Sequence, residues 1–379
     1  MSQKEYFGVG AIEQVRHILA QEKPSSIFVV RSINSYQLSG AEKKLNKLLQ
    51  DYDVTHFTDF SSNAKIEDIG KGIDLFRKYN SDFILAVGGG SAIDIAKAIA
   101  LLAKGTGTAE EYVLKKLPIP PRSIPLAALP TTAGTGSEAT HFATIYISKT
   151  KYSLTHPSLV PDYAIIDPNL TFTLPSYQTA CTGMDSLSQA MESYWSIYST
   201  EQSRQYAQQA LVLVLQYLEK AVNNPNEESR IGMAKAANFS GKAINISFTT
   251  ACHAISYPLT SYFNIPHGHA VALTLPEMVE YNAGTTEGST LDPRGVMFIK
   301  DMLNNLASIF GVSSPKEIKT RLELLMDNIG LERKLIKLGI QSDIDIDLII
   351  KNGFNPERMK NNPRKIEQND LRRIIETIR

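Results

Sequence analysis

Short apolar runs alternate with amphipathic stretches through the first half of the chain. The strand-like runs are "SSIFVV" (25–30), "DVTHF" (53–57), "SDFILAV" (81–87) and "IPLAALP" (124–130). Between them, helical spacing of apolar positions occurs in 39–52, 65–79 and 91–104. Strands and helices that alternate in this way predict a mainly parallel sheet covered by helices.

The pattern changes twice further along the chain. Residues 141–156, "HFATIYISKTKYSLTH", read as a hairpin that turns at Ser148–Thr150. After Pro175 the long stretches are helical and strand candidates become scarce. We therefore predict an α/β domain over residues 1–176 and an all-helical domain over residues 177–379.

Composition narrows the class of protein without identifying it. The chain of 379 residues has 39 Lys plus Arg and 39 Asp plus Glu, so bulk charge favours neither nucleic acid nor an anionic membrane as partner. We find no apolar run long enough to span a bilayer and no signal-peptide pattern in "MSQKEYFGVG". Because the chain has only two cysteines, we expect a cytoplasmic location and no disulfide framework.

The stretch "AVGGGSAIDIAK" (86–97) places three glycines at the end of a buried strand. Ser91 and Asp94 have the spacing of a capping box for the next helix, whose N-terminus would attract an anion. The spacing is not G-x-G-x-x-G, and a simple tight turn explains it about as well as phosphate binding does. A second small-residue loop, "LPTTAGTGSEA" (129–139), follows the next strand. Two such loops favour a nucleotide-binding crevice.

Candidate metal ligands lie in the second half. Three of the seven histidines, His253, His267 and His269, occur within residues 249–276. Asp185 and Gln189 are four residues apart in a predicted helix and so share one face. One carboxylate with the imidazoles of His253 and His267 would suit Zn²⁺ or Fe²⁺ with open positions. Spacing alone does not distinguish a metal site from buried core histidines, since a histidine in an apolar helix is more often a core residue.

Several motifs together resemble one family. "AVGGGSAIDIAKAIA", "PTTAGTGSEAT", "LPSYQTACTGMDSLSQAMESY" and "PHGHAVALTLP" are similar to the iron-containing (group III) alcohol dehydrogenases, and the similarity runs over essentially the whole chain. The resemblance implies an N-terminal α/β dinucleotide-binding domain and an all-α C-terminal domain, a fold that dehydroquinate-synthase-like proteins share. It also implies NAD(P)-dependent interconversion of alcohols and carbonyl compounds at a divalent metal, in a homodimer or larger assembly.

The resemblance assigns roles to individual residues. Gly89, Gly90 and Ser91 would hold the cofactor pyrophosphate, and Thr131, Thr132 and Thr135 would line the nicotinamide side. Lys151 would reach the ribose, and Asn63 would lie near the adenine. The metal ligands would be Asp185, the residue at position 189, His253 and His267.

The sequence departs from the family pattern in three respects. Gln189 replaces a ligand histidine, although some relatives hold zinc with one Asp and two His. Tyr257 replaces a histidine thought to relay protons. Arg31 and Ser32 stand where NAD-preferring members often have an Asp, which favours NADP(H) over NAD(H). The alternative is that Arg31 is only a solvated strand-end residue.

Parts of the sequence look like the phosphonoacetaldehyde reductases, which make 2-hydroxyethylphosphonate. An anionic aldehyde would need hydrogen-bond donors near the metal, and the candidates are His141, Lys151, Tyr257, Thr260 and His269. The scarcity of arginine in these motifs counts against this substrate. A general short-chain alcohol or diol dehydrogenase, a dehydroquinate-synthase-like cyclase, a metal-free reductase and a non-catalytic nucleotide-binding module remain alternatives.

Overall fold

The computed structural model describes residues 3–379, which form two compact units. The first unit ends at Leu174 and the second extends from Pro175 to Arg379, so the boundary lies two residues before the predicted one.

The first unit is built on a sheet of six strands, all parallel, in the order β1-β8-β5-β4-β2-β3. A separate antiparallel pair, β6 and β7, forms the predicted hairpin, with Ser148 at positive φ in its turn. The strands are β1 Lys4–Phe7, β2 Ser26–Arg31, β3 Asp53–Phe57, β4 Phe83–Gly88, β5 Leu126–Pro130, β6 Phe142–Ile147, β7 Thr150–Thr155 and β8 Tyr163–Ile166. The parallel sheet confirms the fold predicted for this half of the chain.

Helices cover both faces of the sheet. They are α1 Gln14–Glu22, α2 Ile33–Leu38, α3 Ala41–Leu48, α4 Ile66–Lys78, α5 Gly90–Leu102 and α6 Ala109–Val113. Successive residues of β2 alternate between two hydrophobic cores: Phe28 packs with α4, α5 and α6, whereas Ile27 packs with α1 and α3. Both faces of this strand are therefore buried, which explains its uninterrupted apolar sequence.

The carboxyl ends of β4 and β5 coincide. Gly88 is the register partner of Pro130, and the backbone N–H of Thr131 donates to the carbonyl of Gly88 at 3.0 Å. The glycine turn after β4 and the threonine-rich loop after β5 consequently start from the same point of the sheet.

The second unit is helical, and no β-strand occurs among its described residues, 175–379. Its helices are α7 Ser176–Trp195, α8 Glu201–Asn223, α9 Glu227–Ser247, α10 Ala251–Phe263, α11 His267–Ala283, α12 Val296–Ile309, α13 Pro315–Asn328, α14 Asp343–Gly353, α15 Pro356–Met359 and α16 Gln368–Thr377. Helix α7 lies at the centre, against α8, α9 and α11. Every residue from Gly183 to Trp195 is buried, so the polar side chains in this part of α7 need partners inside the protein.

Among residues 3–379, none of the helices combines the length and the apolar character that crossing a membrane requires.

Candidate metal centre and cofactor-binding loops

The glycine turn packs closely against the threonine loop. A Cβ placed on Gly90 would lie 2.8 Å from Cγ2 of Thr135, and one on Gly89 would lie 3.4 Å from the side chain of Thr132. A larger residue at position 90 would therefore require the side chain of Thr135 to move. The hydroxyl Oγ1 of Thr131 is buried and has no hydrogen-bond partner within residues 3–379. A buried hydroxyl without a partner beside the start of α5 is consistent with a polar ligand here.

The predicted capping box at the start of α5 is wrong. The helix begins at Gly90 with Gly89 as its N-cap, and the hydroxyl of Ser91 donates to the carbonyl of Ser62. Asp94 instead accepts hydrogen bonds from Ser137 Oγ and, at 2.9 Å, from the backbone N–H of Thr144. Its carboxylate thus joins α5 to the loop and hairpin that follow β5, rather than closing the first turn of its own helix.

Lys97, which no sequence motif singled out, completes this connection. Its side chain is fully buried, and Nζ donates to Ser137 Oγ at 3.2 Å, Thr140 Oγ1 at 2.9 Å and the carbonyl of Phe142 at 3.0 Å. Asp94 Oδ1 lies 4.0 Å away. Burial lowers the pKa of Lys97 to about 8, against the opposing effect of Asp94. Its position three residues after Asp94 on α5 was a signal that a buried pair would share one helix face.

The other predicted cofactor residues lie at separate places in the first unit. Ser32 is the N-cap of α2, and its hydroxyl bonds to that of Ser35. Asn63 is half-buried in the loop before α4, and Lys151 is half-buried on β7. The positive charge of Lys151 acts on Asp94, whose pKa is raised by burial. The cofactor-binding roles of these residues stay predictions.

Arg31 is held at the carboxyl end of β2. Its guanidinium lies over the ring of Tyr36, with Cζ 4.4 Å from the centroid, and Nε donates to Nδ1 of His56 at 3.0 Å. Burial and the neighbouring Arg31 lower the pKa of His56, in keeping with a neutral ring that accepts this bond. The arginine is therefore fixed in position and is more than a freely solvated strand-end residue.

Three predicted metal ligands from three helices meet in the second unit. Nε2 of His253, on α10, lies 3.4 Å from Oδ1 of Asp185 on α7. Nε2 of His267, the first residue of α11, lies 3.9 Å from the same oxygen. One ligand atom from each of the three residues lies within 4.8 Å of the other two. Ligands bound about 2.1 Å from a tetrahedral metal are roughly 3.4 Å apart, so the spacing suits such an ion.

Glu192 orients His253, a role that the sequence motifs did not indicate. Oε2 of this fully buried glutamate is hydrogen-bonded to Nδ1 of His253, and Oε1 accepts from Thr250 Oγ1 at 2.8 Å and Cys252 N at 2.7 Å. Trp195 Nε1 donates to the same threonine hydroxyl at 2.9 Å. Because Nδ1 donates to a carboxylate, Nε2 presents its lone pair towards Asp185, the arrangement expected of a metal-binding histidine. Asp185 and Glu192 are seven residues, or two helical turns, apart, and this spacing was the sequence signal that both lie on the same face of α7.

The charges around His253 favour positive charge at this place. Burial opposes protonation of the ring, but the carboxylates of Glu192 and Asp185 outweigh it and raise the pKa of His253 to about 9. Nε2 is buried and makes no hydrogen bond with any residue from 3 to 379. A divalent metal between Nε2 and Asp185 would balance both carboxylates, so the residues present fit such an ion.

A glycine allows His267 to approach Asp185. A Cβ on Gly268 would lie 1.9 Å from the carbonyl oxygen of Cys181 and 2.9 Å from Cβ of Asp185, so only glycine permits α11 to begin this close to α7. Ser256 Oγ donates to the carbonyl of His253 at 2.8 Å and lies 3.5 Å from Nδ1 of His267. The His267 side chain is 30% exposed, which leaves one side of the ligand set open.

Gln189 shares the buried face of α7 with Asp185. Its Oε1 accepts a hydrogen bond from Ser240 Oγ of α9 at 3.1 Å, and the hydroxyl of Ser186 donates to the same serine at 3.1 Å. This bond uses one of the two lone pairs of the amide oxygen that the family resemblance would place on the metal. The role of Gln189 as a ligand therefore stays a prediction.

Two residues considered as donors to an anionic substrate have partners of their own. His269 is buried, with Nδ1 3.1 Å from Tyr177 Oη and Nε2 2.7 Å from the carbonyl of Glu332, so neither ring nitrogen is left for a substrate. The suggestion that His269 binds substrate is wrong. Tyr257 is half-buried on α10, and its Oη accepts a hydrogen bond from Nη1 of Arg358.

Comparison with known proteins identifies the family of the chain. The family model described as iron-containing alcohol dehydrogenase matches residues 2–168, and its C-terminal counterpart matches residues 179–379. The chain is 33% identical to phosphonoacetaldehyde reductase of Streptomyces viridochromogenes, over 79% of this chain and 76% of that protein. It is 30% identical to NAD-dependent methanol dehydrogenase of Bacillus methanolicus, over 97% and 96% of the two chains.

Solved structures point the same way. Sulfoacetaldehyde reductase from Bifidobacterium kashiwanohense, determined in complex with NAD⁺, is 30% identical, with a TM-score of 0.88 over 99% of this chain and 96% of that one. The iron-containing alcohol dehydrogenase of Thermotoga maritima is 28% identical, with a TM-score of 0.86 over 100% and 98% of the two chains. The family implies a divalent metal and NAD(H). The chain belongs to the iron-containing alcohol dehydrogenase family, whose members are alcohol and aldehyde oxidoreductases.

Proposed function

We propose that this oxidoreductase reduces a short aldehyde that carries an anionic group, and that phosphonoacetaldehyde, reduced to 2-hydroxyethylphosphonate, is its substrate. The observation that carries the proposed chemistry is the convergence of Asp185, His253 and His267 within 4.8 Å. Two relatives support the substrate class, because phosphonoacetaldehyde and sulfoacetaldehyde are both two-carbon aldehydes with a tetrahedral oxyanion.

The chain's own residues would provide a fixed and partly open metal site. Asp185, His253 and His267 would hold Fe²⁺ or Zn²⁺, which, when bound, supplies Lewis-acid polarisation of a carbonyl oxygen. Glu192 keeps Nε2 of His253 directed at Asp185, and the exposed edge of His267 leaves room for substrate. Such preorganisation matters because ligand groups must hold their geometry to within about 0.5 Å.

In the first unit, the two loops would hold the nicotinamide cofactor. Gly89, Gly90 and Ser91 would bind its pyrophosphate at the start of α5, and the threonine loop would position the nicotinamide, which supplies the hydride. Lys97 and Asp94 hold the loop after β5 against α5 and would keep the two binding segments in register.

We also propose a preference for NADP(H) over NAD(H). Arg31 is fixed by Tyr36 and His56 at the end of β2, where a 2′-phosphate would meet a guanidinium instead of a repelling carboxylate. Titration of the protein with each cofactor, followed by nicotinamide fluorescence, would test this preference. We expect tighter binding of NADPH, reduced to the level of NADH by Arg31→Met.

A general short-chain alcohol dehydrogenase is the second candidate, favoured by the 30% identity to a methanol dehydrogenase. The assay that separates the candidates follows NADPH oxidation with phosphonoacetaldehyde, lactaldehyde, succinic semialdehyde and butyraldehyde, in the presence of Zn²⁺ or Fe²⁺. We expect the highest kcat/KM with phosphonoacetaldehyde. Equal rates with butyraldehyde would favour the second candidate, and cofactor binding without net NADPH oxidation would favour a cyclase or a non-catalytic module.

The histidine substitutions provide the internal control. His267→Ala should abolish aldehyde reduction and leave NADPH binding nearly unchanged, because the residue belongs to the metal set. His17→Ala, at an exposed position of α1, should change neither property. Loss of reduction and of NADPH binding together in His267→Ala would mean that His267 is a structural residue.

A further inference from the structure

Arg358 lies beside the metal-binding helix, although sequence motifs gave no reason to notice it. It belongs to α15, and its guanidinium packs over the ring of Tyr257 on α10, with Cζ 4.7 Å from the ring centroid. Nη1 donates to the phenol oxygen of the same tyrosine. Stacking and hydrogen bonding together fix both the plane and the direction of the guanidinium.

The tyrosine connects this arginine to the metal ligands. Tyr257 follows His253 by four residues in α10, so the two side chains share a helix face and their Cα atoms are about 6 Å apart along the axis. The His253 ring contacts that of His267, with centroids 5.3 Å apart. The tyrosine that holds the guanidinium of Arg358 thus follows a metal-ligand histidine by about one helical turn, within the second unit alone.

The segment that carries Arg358 is anchored on both sides. Asn355 caps α15 by accepting from the backbone N–H of Arg358 at 3.2 Å, and Met359 is buried. Asn361 Nδ2 donates to the carbonyl of Thr249 at 3.1 Å, just before α10, and its own carbonyl accepts from Ile197 N at 3.0 Å. The arginine is therefore positioned by packing and hydrogen bonds before any ligand arrives.

We infer that Arg358 and Tyr257 bind the anionic group of the substrate aldehyde, while its carbonyl group lies at the Asp185–His253–His267 set. The inference rests on the proposed function and names the residues that select the substrate class. A guanidinium fork matches two oxygens of a tetrahedral oxyanion, and the phenol that accepts from Arg358 donates its own O–H to the same group. Phosphonate and sulfonate share this chemistry, and a neutral aldehyde lacks it.

The test compares charged and neutral aldehydes in single variants. Arg358→Met removes the charge at similar length, and Tyr257→Phe keeps the ring under the guanidinium but removes the hydroxyl. The matched control is Arg372→Met, because Arg372 is an exposed arginine paired with Asp347 on another part of the unit. Each protein is assayed for kcat and KM with phosphonoacetaldehyde, sulfoacetaldehyde and propionaldehyde.

We expect Arg358→Met to lower kcat/KM for the better anionic aldehyde roughly ten- to hundredfold, mainly through KM, because a charge-assisted contact is lost. Propionaldehyde should change less than about twofold, and the Arg372→Met control should leave every substrate unchanged. The anionic aldehyde with the higher kcat/KM in the wild type identifies phosphonate or sulfonate as the preferred group. An equal loss with propionaldehyde would show that Arg358 only supports the fold, and no loss with either anion would overturn the inference.

Direct binding separates failure of this inference from failure of the proposed function. Calorimetric titration with 2-hydroxyethylphosphonate requires no turnover, and we expect binding to the wild type that Arg358→Met weakens at least tenfold. If the wild type binds the anion in this Arg358-dependent way but reduces no aldehyde, the proposed function fails and the anion site stands. If the wild type reduces propionaldehyde but neither binds nor reduces the anions, the site is overturned and aldehyde reduction stands.

Discussion

The contact between α11 and α7 at Gly268 gives the sharpest prediction for the metal site. Ordinary van der Waals contact of a Cβ begins near 3.4 Å, whereas a Cβ on Gly268 would lie 1.9 Å from the carbonyl oxygen of Cys181. Gly268→Ala must therefore separate the start of α11 from α7 by ~1.5 Å, because the opposing atom is backbone and no rotamer change can remove it. His267, the neighbouring residue, moves with α11.

The expected magnitude follows from that displacement. Metal–ligand distances tolerate only about 0.2 Å, so a shift of ~1.5 Å removes His267 from the ligand set. We expect Gly268→Ala to weaken Zn²⁺ binding at least about a hundredfold. Forcing an extra carbon into this packed contact should also lower the free energy of unfolding by about 3 kcal/mol.

The assay is competition for Zn²⁺ against a chromophoric chelator, together with urea unfolding of the same samples. Gly288→Ala is the matched control, since a Cβ there meets no atom within 4 Å. The reasoning would be refuted if Gly268→Ala, with unchanged far-UV circular dichroism, kept its Zn²⁺ affinity within threefold of the wild type. That result would mean that the approach of α11 to α7 does not set the position of His267.

Three further predictions address residues around the two sites. Glu192→Gln replaces the charged partner of Nδ1 of His253 by a neutral amide and should weaken Zn²⁺ binding about ten- to a hundredfold in the competition assay, while affinity equal to wild type would contradict the orienting role. Gln189→Ala should change Zn²⁺ affinity less than about threefold, because Oε1 is bonded to Ser240; a tenfold loss would identify Gln189 as a ligand. The pKa of Lys97 is about 8 in the folded protein and 10.5 in the unfolded chain, so between these pH values the unfolded chain holds more protons. The free energy of unfolding of the wild type therefore rises with pH in this range, by about 3 kcal/mol in all. Urea unfolding of wild type and Lys97→Met should show this gain in the wild type only, and equal pH slopes would disprove it.

The sequence pattern predicted most of the first unit, because its central strands are buried on both faces and read as continuous apolar runs. β1 and β8 were missed for opposite reasons. β1, "KEYF", lies at the edge of the sheet and is mostly exposed, so it lacks an apolar pattern. β8 is buried but only four residues long, and it follows a proline within a loop-like stretch.

The metal ligands were predictable in type, while the residues that support them were not. Asp185, His253 and His267 belong to recognisable motifs, but Glu192 and Gly268 act through contacts between helices that are far apart in the chain. Arg358 lies on a short helix near the end of the sequence and contacts Tyr257, from which it is separated by 101 residues in the chain. Such long-range packing leaves no local pattern, and only the folded chain brings these residues together.

The most direct test of the central claim, that Asp185, His253 and His267 hold a metal required for aldehyde reduction, is a metal titration of chelator-treated protein under anaerobic conditions. We expect the metal-free protein to bind NADPH but to reduce no aldehyde. Activity should return with Zn²⁺ or Fe²⁺ and reach its maximum at one metal ion per chain, and Asp185→Asn should not recover. Full aldehyde reduction by the metal-free protein would contradict the account.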